Sequence, residues 1–462
     1  MPSAGLGERL TRHLGHGWAT GCVVLILIAG AAFRINAYGD LRLSVATLDT
    51  QSYVDSARLP LLSRAAFSGG RPFTMNLLFR LSREPICETA ALSMPAIGKE
   101  SRRVIQDCFA PVVLLQAYLS ILGWSVFVFS FSGLMTRGFT KIASAVLLVA
   151  VGFVPQVADW DSILTSEALT FSIFALMLGL ALQLTGQSIR RESGRRAAHW
   201  MMLTSAATTI TAASWILVRD TNWYGVALLC LAAAPLLRRE GPARRAIAPA
   251  LVFILFVCGL SVVASGQSTR WHNSMRQAMD EYVLPYPARV ATFRRLGMPS
   301  PDSPAYDGWF ASRAPITYLA FLGVHPGFTA TTVLGRLEPL FAENNQPYFK
   351  SPDLPLREAA LVLGDQLHSK STSTLVLDIL IVLACLAAVK IHRDSWVRHM
   401  AAILCWLLGS AVCILVISFF ADPTAVQRHV VFSLFLFRLV SWLGILVLVE
   451  LGMRGNTMGP AA

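Results

Sequence analysis

Long apolar runs separated by polar connections dominate this chain. A helix that crosses a bilayer needs about 20 mostly apolar residues, and backbone groups in lipid are satisfied only in helices or closed barrels. We therefore predict an all-α fold, a polytopic bundle of about ten transmembrane helices. The predicted spans are residues 18–37, 109–135, 142–157, 163–184, 200–218, 223–237, 246–264, 374–389, 400–420 and 430–451.

The connection at residues 265–373 is long enough to form structure of its own. Its helical stretches are separated by prolines, which predicts a helical loop domain at the outer membrane surface. The predicted stretches are residues 270–283, 287–296, 315–322, 326–341 and 356–367. We therefore divide the chain into an N-terminal transmembrane module with a catalytic first outer loop (1–264, loop 38–108), the outer helical loop (265–373) and C-terminal transmembrane helices (374–462).

Within the first outer loop, residues 60–81 interleave Leu, Phe and Met with Arg64, Arg71 and Arg80. This pattern is typical of helices that lie in the outer leaflet interface, and packing against the bundle explains it equally well. In both cases the preceding acidic stretch TLDTQSYVDSA, residues 47–57, is held close to the membrane surface.

Composition and charge support a membrane protein. Of 462 residues, 54% are hydrophobic and 14% charged, whereas a soluble domain has about a quarter charged residues. The net charge of +12 raises the question of a nucleic-acid partner, but Lys and Arg lie mainly at the ends of apolar runs, as an orienting signal does. We expect no nucleic acid, both termini in the cytoplasm, a multi-pass protein of the inner membrane, and an active site facing the exterior.

Two further features of the sequence bear on processing and redox chemistry. Ala29-Gly30-Ala31 is similar to a signal-peptidase site, but we expect the first helix to be retained because its removal breaks the charge pattern. Cys87 and Cys108 both fall in the first outer loop, where either a disulfide or two thiols is compatible with the sequence.

Ionisable residues gather near the outer ends of the predicted spans, where each is a functional candidate. Carboxylates offer a general base, and arginines can hold a phosphate leaving group. The candidates are Asp49, Asp159, Asp161, Glu167, Arg219, Asp220, Arg428 and His429, with Asp378 and Arg438 deeper in the membrane.

Simpler roles remain open for several of these residues. Asp161 fits the N-cap of the fourth helix as well as a functional role. Arg219 and Asp220 fit a local ion pair, and Arg428 with His429 an interfacial anchor. Arg438 needs a partner at its depth, and Asp378 is the nearest candidate. Asp55, six residues after Asp49, is interpreted as a solvated loop residue.

Several short motifs resemble those of GT-C glycosyltransferases, the integral membrane enzymes that take sugars from polyprenyl-phosphate carriers. The likeness is to the protein mannosyltransferase and lipid A aminoarabinose transferase group. It rests on LDTQSYVDSA after a first span ending in Arg34, on ADWDS followed by LTSE, on Val218-Arg219 and on Gln427-Arg428-His429. The sequence departs from the family pattern at two places. Asp49-Thr50 replaces the Asp-Glu of many relatives, and Gly70-Arg71-Pro72 matches only part of a Gly-Arg-Pro-Pro-like run.

The resemblance implies a role for each matching residue. It makes Asp49, Asp161 and Glu167 the catalytic candidates. The implied substrate-binding residues are Arg34, Tyr53, Arg71, Arg219, Arg428 and His429. Some relatives bind a divalent metal between the two loop acids, which here are Asp49 and Asp161. The implied donor is a polyprenyl-phosphate sugar, and the acceptor is a glycolipid, a polysaccharide or a protein.

Two other functions fit a chain of this kind. A transporter or flippase for a lipid-linked saccharide predicts polar residues along a path through the bundle, and often an internal repeat. A surface-polysaccharide polymerase or ligase predicts functional residues in the long outer loop. Its candidates are Arg270, Arg289, Arg294, Arg295 and His325.

Overall fold

The computed structural model describes residues 6–82, 103–190, 194–234, 237, 242–350, 354–392, 394–421, 423 and 426–455. Cys87 lies outside these residues, so a disulfide with Cys108 and two thiols both stay open.

Ten helices cover the predicted apolar runs, because uninterrupted apolar sequence in lipid favours backbone hydrogen bonds within the segment. They are α1 (Leu6–Ala37), α5 (Ala110–Leu134), α6 (Gly138–Phe153), α8 (Ser166–Arg190), α9 (Arg195–Ile216), α10 (Asn222–Ala233), α11 (Pro242–Gln267), α18 (Ser373–His392), α19 (Ser395–Ala421) and α20 (Val426–Gly455).

Shorter elements occupy the two long loops and one connection. They are β1 (Leu43–Ser44), α2 (Thr50–Ala57), α3 (Arg64–Ser68), α4 (Phe73–Phe79), β2 (Val104–Ile105), α7 (Pro155–Ala158), α12 (Arg270–Tyr282), α13 (Pro287–Arg295), α14 (Ala305–Ser312), α15 (Ala314–Val324), α16 (Pro326–Ala342) and α17 (Pro355–Leu367). The two strands pair antiparallel, with Leu43 opposite Ile105.

The prediction of an all-α transmembrane bundle is confirmed. Within the described residues, seven helices are long and apolar enough to cross a membrane, and α6 joined to residues 155–162 through a 50° bend makes an eighth candidate. The 12 residues of α10 extend about 18 Å, less than the hydrocarbon thickness of about 30 Å. The chain is a multi-pass membrane protein, and its full number of crossings stays a prediction.

Close helix packing in the bundle depends on glycine at the contact between α5 and α8. A Cβ atom on Gly123 would lie 2.4 Å from the carbonyl oxygen of Ser172, and one on Gly179 would lie 2.7 Å from the backbone nitrogen of Phe127. These distances leave no room for a side chain, so the two backbones touch. The contact holds α8, whose first turn carries Glu167, against α5.

The outer loop domain follows the predicted helices, with one addition. All five predicted stretches of this loop are helical, and α14 was missed. It follows the turn-forming sequence PSPDSP and buries Trp309 and Phe310, so tertiary packing rather than a long apolar pattern stabilises it.

The arginine-bearing stretch of the first outer loop, residues 60–81, packs against the bundle on one face and exposes apolar side chains on another. α4 buries Met75 and Phe79 against the protein, while Leu62 is 97% exposed and Leu77 is half exposed. Thr74 donates to the carbonyl of Ser214 at 2.9 Å, which ties α4 to the end of α9. The stretch is therefore anchored to the bundle, with apolar side chains directed outward.

Candidate active site

Asp49 precedes α2 and its carboxylate is not used to cap that helix. Its backbone carbonyl accepts from the Ser52 hydroxyl at 2.6 Å instead. The side chain is therefore available for contacts beyond its own helix. Its Oδ1 accepts from Arg71 and its Oδ2 from Arg428, each at 2.5 Å. Each oxygen of one carboxylate thus faces a different guanidinium.

Arg428 connects this carboxylate to a second, deeper one. Its Nε donates to Glu167 Oε1 at 2.9 Å and its Nη2 to Oε2 at 3.4 Å, a bidentate pair. The Glu167 side chain is fully buried, whereas that of Asp49 is 29% exposed. Arg428 therefore has one acid at the solvent side and one inside the protein.

Arg219 completes the charge pattern from the end of α9. Its Nη1 lies 3.5 Å from Glu167 Oε1, and its Nη2 lies 2.6 Å from Nδ1 of His429. The ends of α8, α9 and α20 thus meet beside α2. We name the group the Asp49 cluster: Asp49, Arg71, Glu167, Arg219, Arg428 and His429.

Tyr53 and Ser52 position Arg71 within this cluster. The Arg71 guanidinium lies 4.4 Å from the centre of the Tyr53 ring, and its Nε donates to the Ser52 hydroxyl at 2.6 Å. Tyr53 in turn stacks on Phe79, with ring centres 5.1 Å apart. The α2 sequence that bears Asp49 thus also orients the arginine that binds it.

The electrostatic environment keeps Asp49 ionised. Burial raises the pKa of its carboxyl, but Arg428 and Arg71 outweigh that effect, so the pKa falls below its ordinary value. Tyr348 of the outer loop lies beside Arg428, and burial raises the pKa of its phenol to about 12. Tyr348 is therefore a neutral hydroxyl next to the cluster, and no pattern in the sequence indicates it.

Asp159 and Asp161 form a separate group of ion pairs in a 3₁₀ turn, Asp159–Ser162. Arg34 donates to Asp161 and, at 3.0 Å, to the carbonyl of Ala158. Arg357 of α17 donates to Asp159 through Nε at 3.1 Å and Nη2 at 2.5 Å. The turn joins the first helix to the outer loop domain, a link that sequence reasoning missed at Arg357.

The N-cap interpretation of Asp161 is wrong, because α8 begins at Ser166 and Asp161 lies inside the preceding turn. Among the residues implied by the family resemblance, Arg34 and Asp161 therefore bond to each other. Asp161 and Asp49 pair with different arginines.

The interpretation of Arg219 and Asp220 as a local ion pair is also wrong, as is that of Asp378 as the partner of Arg438. Asp220 pairs with Arg270 at 3.0 Å, while Arg219 turns to Glu167, so the two neighbours do not form their own pair. Arg438 donates to the carbonyls of Ser369 and Phe341 at 3.0 Å. Asp378 accepts from Ser441 at 2.5 Å. Backbone carbonyls of the outer loop satisfy Arg438, so it needs no carboxylate.

A divalent metal between Asp49 and Asp161 does not fit these residues. Both oxygens of Asp49 face guanidinium groups, and Asp161 bonds to Arg34. Hard divalent cations are held by several oxygen ligands. Within the part of the chain that the structure describes, no group of three or more His, Cys, Asp or Glu side chains is placed to hold a metal ion.

Solved structures of an archaeal oligosaccharyltransferase from Archaeoglobus fulgidus align with this chain. One is AglB in complex with an inhibitory peptide and a dolichol-phosphate, with 12% identity, a TM-score of 0.35, and coverage of 96% of this chain and 52% of that one. Another, tethered with an acceptor peptide, has 13% identity, a TM-score of 0.40, and coverage of 96% and 51%. The chain thus spans about half the length of these structures, which at this similarity assign no role to its residues.

No protein-family model matches the chain, and no curated protein matches it.

Proposed function

We propose that this protein is a membrane glycosyltransferase that moves a sugar from a polyprenyl-phosphate carrier to an acceptor at the outer face of the cytoplasmic membrane. One observation carries the proposal: a partly exposed carboxylate, Asp49, lies between two arginines at the surface end of the bundle. Such a site has a base for a hydroxyl and cations for a phosphate in the same place. The resemblance to GT-C enzymes gives the same assignment of Asp49.

The proposed reaction is one inverting displacement. The oxygen of the acceptor hydroxyl attacks the anomeric carbon from the face opposite the carrier, and Asp49 takes the proton of that hydroxyl. The bond between that carbon and the phosphate oxygen breaks, and its electron pair leaves with the polyprenyl phosphate. Arg428 and Arg219 stabilise the negative charge on that phosphate.

The arginines also regulate the strength of the base. In the free protein Arg428 and Arg71 lower the pKa of Asp49, which makes it a weak base. A donor phosphate that draws these guanidinium groups toward itself weakens their hold on the carboxylate. Donor binding is therefore expected to raise the basicity of Asp49 at the moment the acceptor needs it.

Glu167 serves this proposal as the fixed anion that holds Arg428 and Arg219, since it is fully buried and paired with both. Asp161 and Arg34 hold the neighbouring turn in place. The lipid tail of the donor lies between helices, and the acceptor is a glycolipid, a polysaccharide or a protein. The N-terminal module supplies the catalytic loop and the outer loop domain supplies Tyr348.

The test is sugar transfer by the purified protein from a panel of polyprenyl-phosphate sugars. Asp49→Asn keeps the shape of the side chain and removes the base, so we expect transfer to fall at least about 100-fold. Asp55→Asn is the matched control, because Asp55 is an exposed acid on the same helix, bonded to Gln51. Transfer by Asp49→Asn at the parental rate would overturn the assignment of the base.

The same preparation separates the rival functions. Movement of a lipid-linked saccharide across proteoliposomes, without transfer, would favour a flippase. Two of the arginines expected of a polymerase are already engaged in loop packing: Arg289 lies 3.8 Å from the centre of the Tyr286 ring, and Arg270 pairs with Asp220.

A further inference from the structure

The last helix of the outer loop domain, α17, directs an apolar face away from the protein. Four exposed residues with helical spacing lie on this face: Leu356, Ala359, Val362 and Leu363. Val362 is 67% exposed. The opposite face of α17 is buried and carries Arg357, Ala360 and Gly364. The position of α17 relative to the transmembrane helices decides what covers the exposed face.

The transmembrane helix α6 gives the depth of the end of α17. His368 directly follows α17, and its Nε2 lies 3.1 Å from the carbonyl oxygen of Val151. Val151 is about 20 Å along α6 from its first residue, Gly138, at 1.5 Å per residue. Tilt of α6 shortens this distance along the membrane normal, so the end of α17 lies at most about 20 Å above the start of α6.

The helix α20 gives the same depth independently. Trp442 donates from Nε1 to the carbonyl of Leu367, the last residue of α17, at 2.8 Å. Trp442 is about 20 Å along α20 from its last residue, Gly455. The start of α6 and the end of α20 lie side by side, because the backbone nitrogen of Thr136 donates to Glu450 at 3.0 Å. Both measurements therefore start from the same end of the bundle.

These depths place the end of α17 inside the bilayer. The hydrocarbon layer is about 30 Å thick, so a point about 20 Å from one boundary lies about 10 Å below the other. The beginning of α17 is nearer the surface, since Leu354 packs beside Gly39, just beyond the end of α1. Helices that lie in the membrane interface bury their apolar face by about 5–10 Å, which agrees with this position.

The charges of α17 are compatible with contact to lipid. The helix has three ionisable side chains, and each is paired. Arg357 donates to Asp159 and to Glu358, the latter at 2.7 Å, and Asp365 accepts from Lys370 at 2.8 Å. The exposed face itself is apolar, so contact with acyl chains leaves no uncompensated charge in the hydrocarbon.

We propose that α17 is an interfacial membrane helix, whose face at Leu356, Ala359, Val362 and Leu363 contacts acyl chains of the leaflet on the side of the Asp49 cluster. Its buried face holds Asp159 through Arg357, so the lipid contact anchors the outer loop domain beside that turn. The proposal is independent of the glycosyltransferase reaction, since α17 contains no residue of the Asp49 cluster.

The test is fluorescence quenching of the full chain in lipid nanodiscs. In a background without the native cysteines, Val362→Cys carries the fluorophore NBD. Ser300→Cys is the matched control, because Ser300 is an exposed residue of the same domain outside α17. Because an interfacial helix places its apolar face among the acyl chains, we expect lipids with a doxyl group on the acyl chain to quench Val362→Cys at least about twofold more than Ser300→Cys. Iodide in the buffer should quench mainly Ser300→Cys.

The pattern of quenching identifies what covers α17. Strong quenching of Val362→Cys by iodide would show a face in water and overturn the proposal. Protection of Val362→Cys from both quenchers would show that protein covers the face, a second copy of this chain included, and would overturn the assignment to lipid.

A second labelled position separates the proposal from a local disturbance by the label. Leu363→Cys lies on the same face, so we expect it to respond to doxyl lipid and iodide as Val362→Cys does. An unchanged melting temperature of each labelled protein controls for folding. Quenching of Leu363→Cys by iodide at the level of Ser300→Cys would contradict the lipid contact even if Val362→Cys failed to fold.

Discussion

At the scale of single residues, the two acids of the Asp49 cluster differ in what they can reach. Asp49 is 29% exposed, whereas Glu167 is fully buried, although both bind Arg428. A substrate hydroxyl can approach Asp49, and Glu167 can act only through its arginines. The cluster therefore separates an accessible carboxylate, the proposed base, from a buried one that pairs with two arginines.

Removal of Arg428 tests whether the buried Glu167 carboxylate depends on its arginine partners. Arg428→Met leaves the buried Glu167 charge with Arg219 as its remaining partner at 3.5 Å, so we expect a loss of about 3 kcal/mol in the free energy of unfolding. The measurement is denaturant unfolding in detergent. Glu167→Gln/Arg428→Met also removes the buried carboxylate, so part of the lost stability should return, while Arg219 then lacks its acid partner.

Arg42→Ala is the control, because Arg42 pairs with Asp40 at the surface, where water screens the pair and it contributes little to stability. An equal effect of Arg428→Met and Arg42→Ala would show that Glu167 does not depend on Arg428.

The acid dependence of stability tests the environment of Asp49. Its pKa is lowered in the folded protein, so its ion pairs stabilise fully above the unfolded value of about 3.9, and this contribution is lost as the pH falls through the lower folded value. We expect the difference in melting temperature between parent and Asp49→Asn to stay constant from about pH 7 to 5 and to shrink only below about pH 4. A difference that disappears between pH 7 and 5 would mean that the arginines do not hold the carboxylate ionised.

Sequence reasoning found the members of the Asp49 cluster and missed two residues of the outer loop that contact the candidate acids or arginines, Arg357 and Tyr348. Arg219, Glu167 and Arg428 stood out because charge beside an apolar run is unusual. Arg357 and Tyr348 lie in a polar loop where such residues are common, so nothing marked them before the fold brought them to Asp159 and Arg428. The prediction of side-chain partners was the least accurate part, since Asp220 and Arg438 bind partners that are distant in sequence.

At the scale of elements, the contact between α5 and α8 depends on the absence of side chains. Gly179→Ala places a Cβ 2.7 Å from the backbone nitrogen of Phe127, and backbone atoms cannot move aside as a flexible side chain can. We expect a loss of about 1–3 kcal/mol in the free energy of unfolding. Gly259→Ala in α11 is the control, because no atom lies within 4 Å of its added Cβ, and we expect a gain of up to about 1 kcal/mol. Equal effects of the two substitutions would contradict close backbone packing.

At the scale of the whole molecule, contacts between helix ends argue for ten crossings. Glu167 begins α8 and Arg219 follows α9, yet they lie in one cluster, so α8 and α9 cross in opposite directions. Asp220 precedes α10 and Arg270 follows α11. These two residues form an ion pair, so α10 and α11 also run in opposite directions. We therefore predict that α10 crosses despite its 12 residues. With ten crossings both termini would lie on one side, as the charge pattern predicts.

Cysteine labelling in intact cells tests this topology. In a background without the native cysteines, Ser300→Cys and Thr221→Cys should react with a membrane-impermeant maleimide, and His392→Cys should react only after permeabilisation. Thr221 discriminates between the two span numbers, because it faces the exterior with ten crossings and the cytoplasm if α9 and α10 do not cross. Labelling of His392→Cys in intact cells would reverse the orientation and place the Asp49 cluster in the cytoplasm. Protection of Thr221→Cys alone would leave the orientation intact and reduce the crossings to eight.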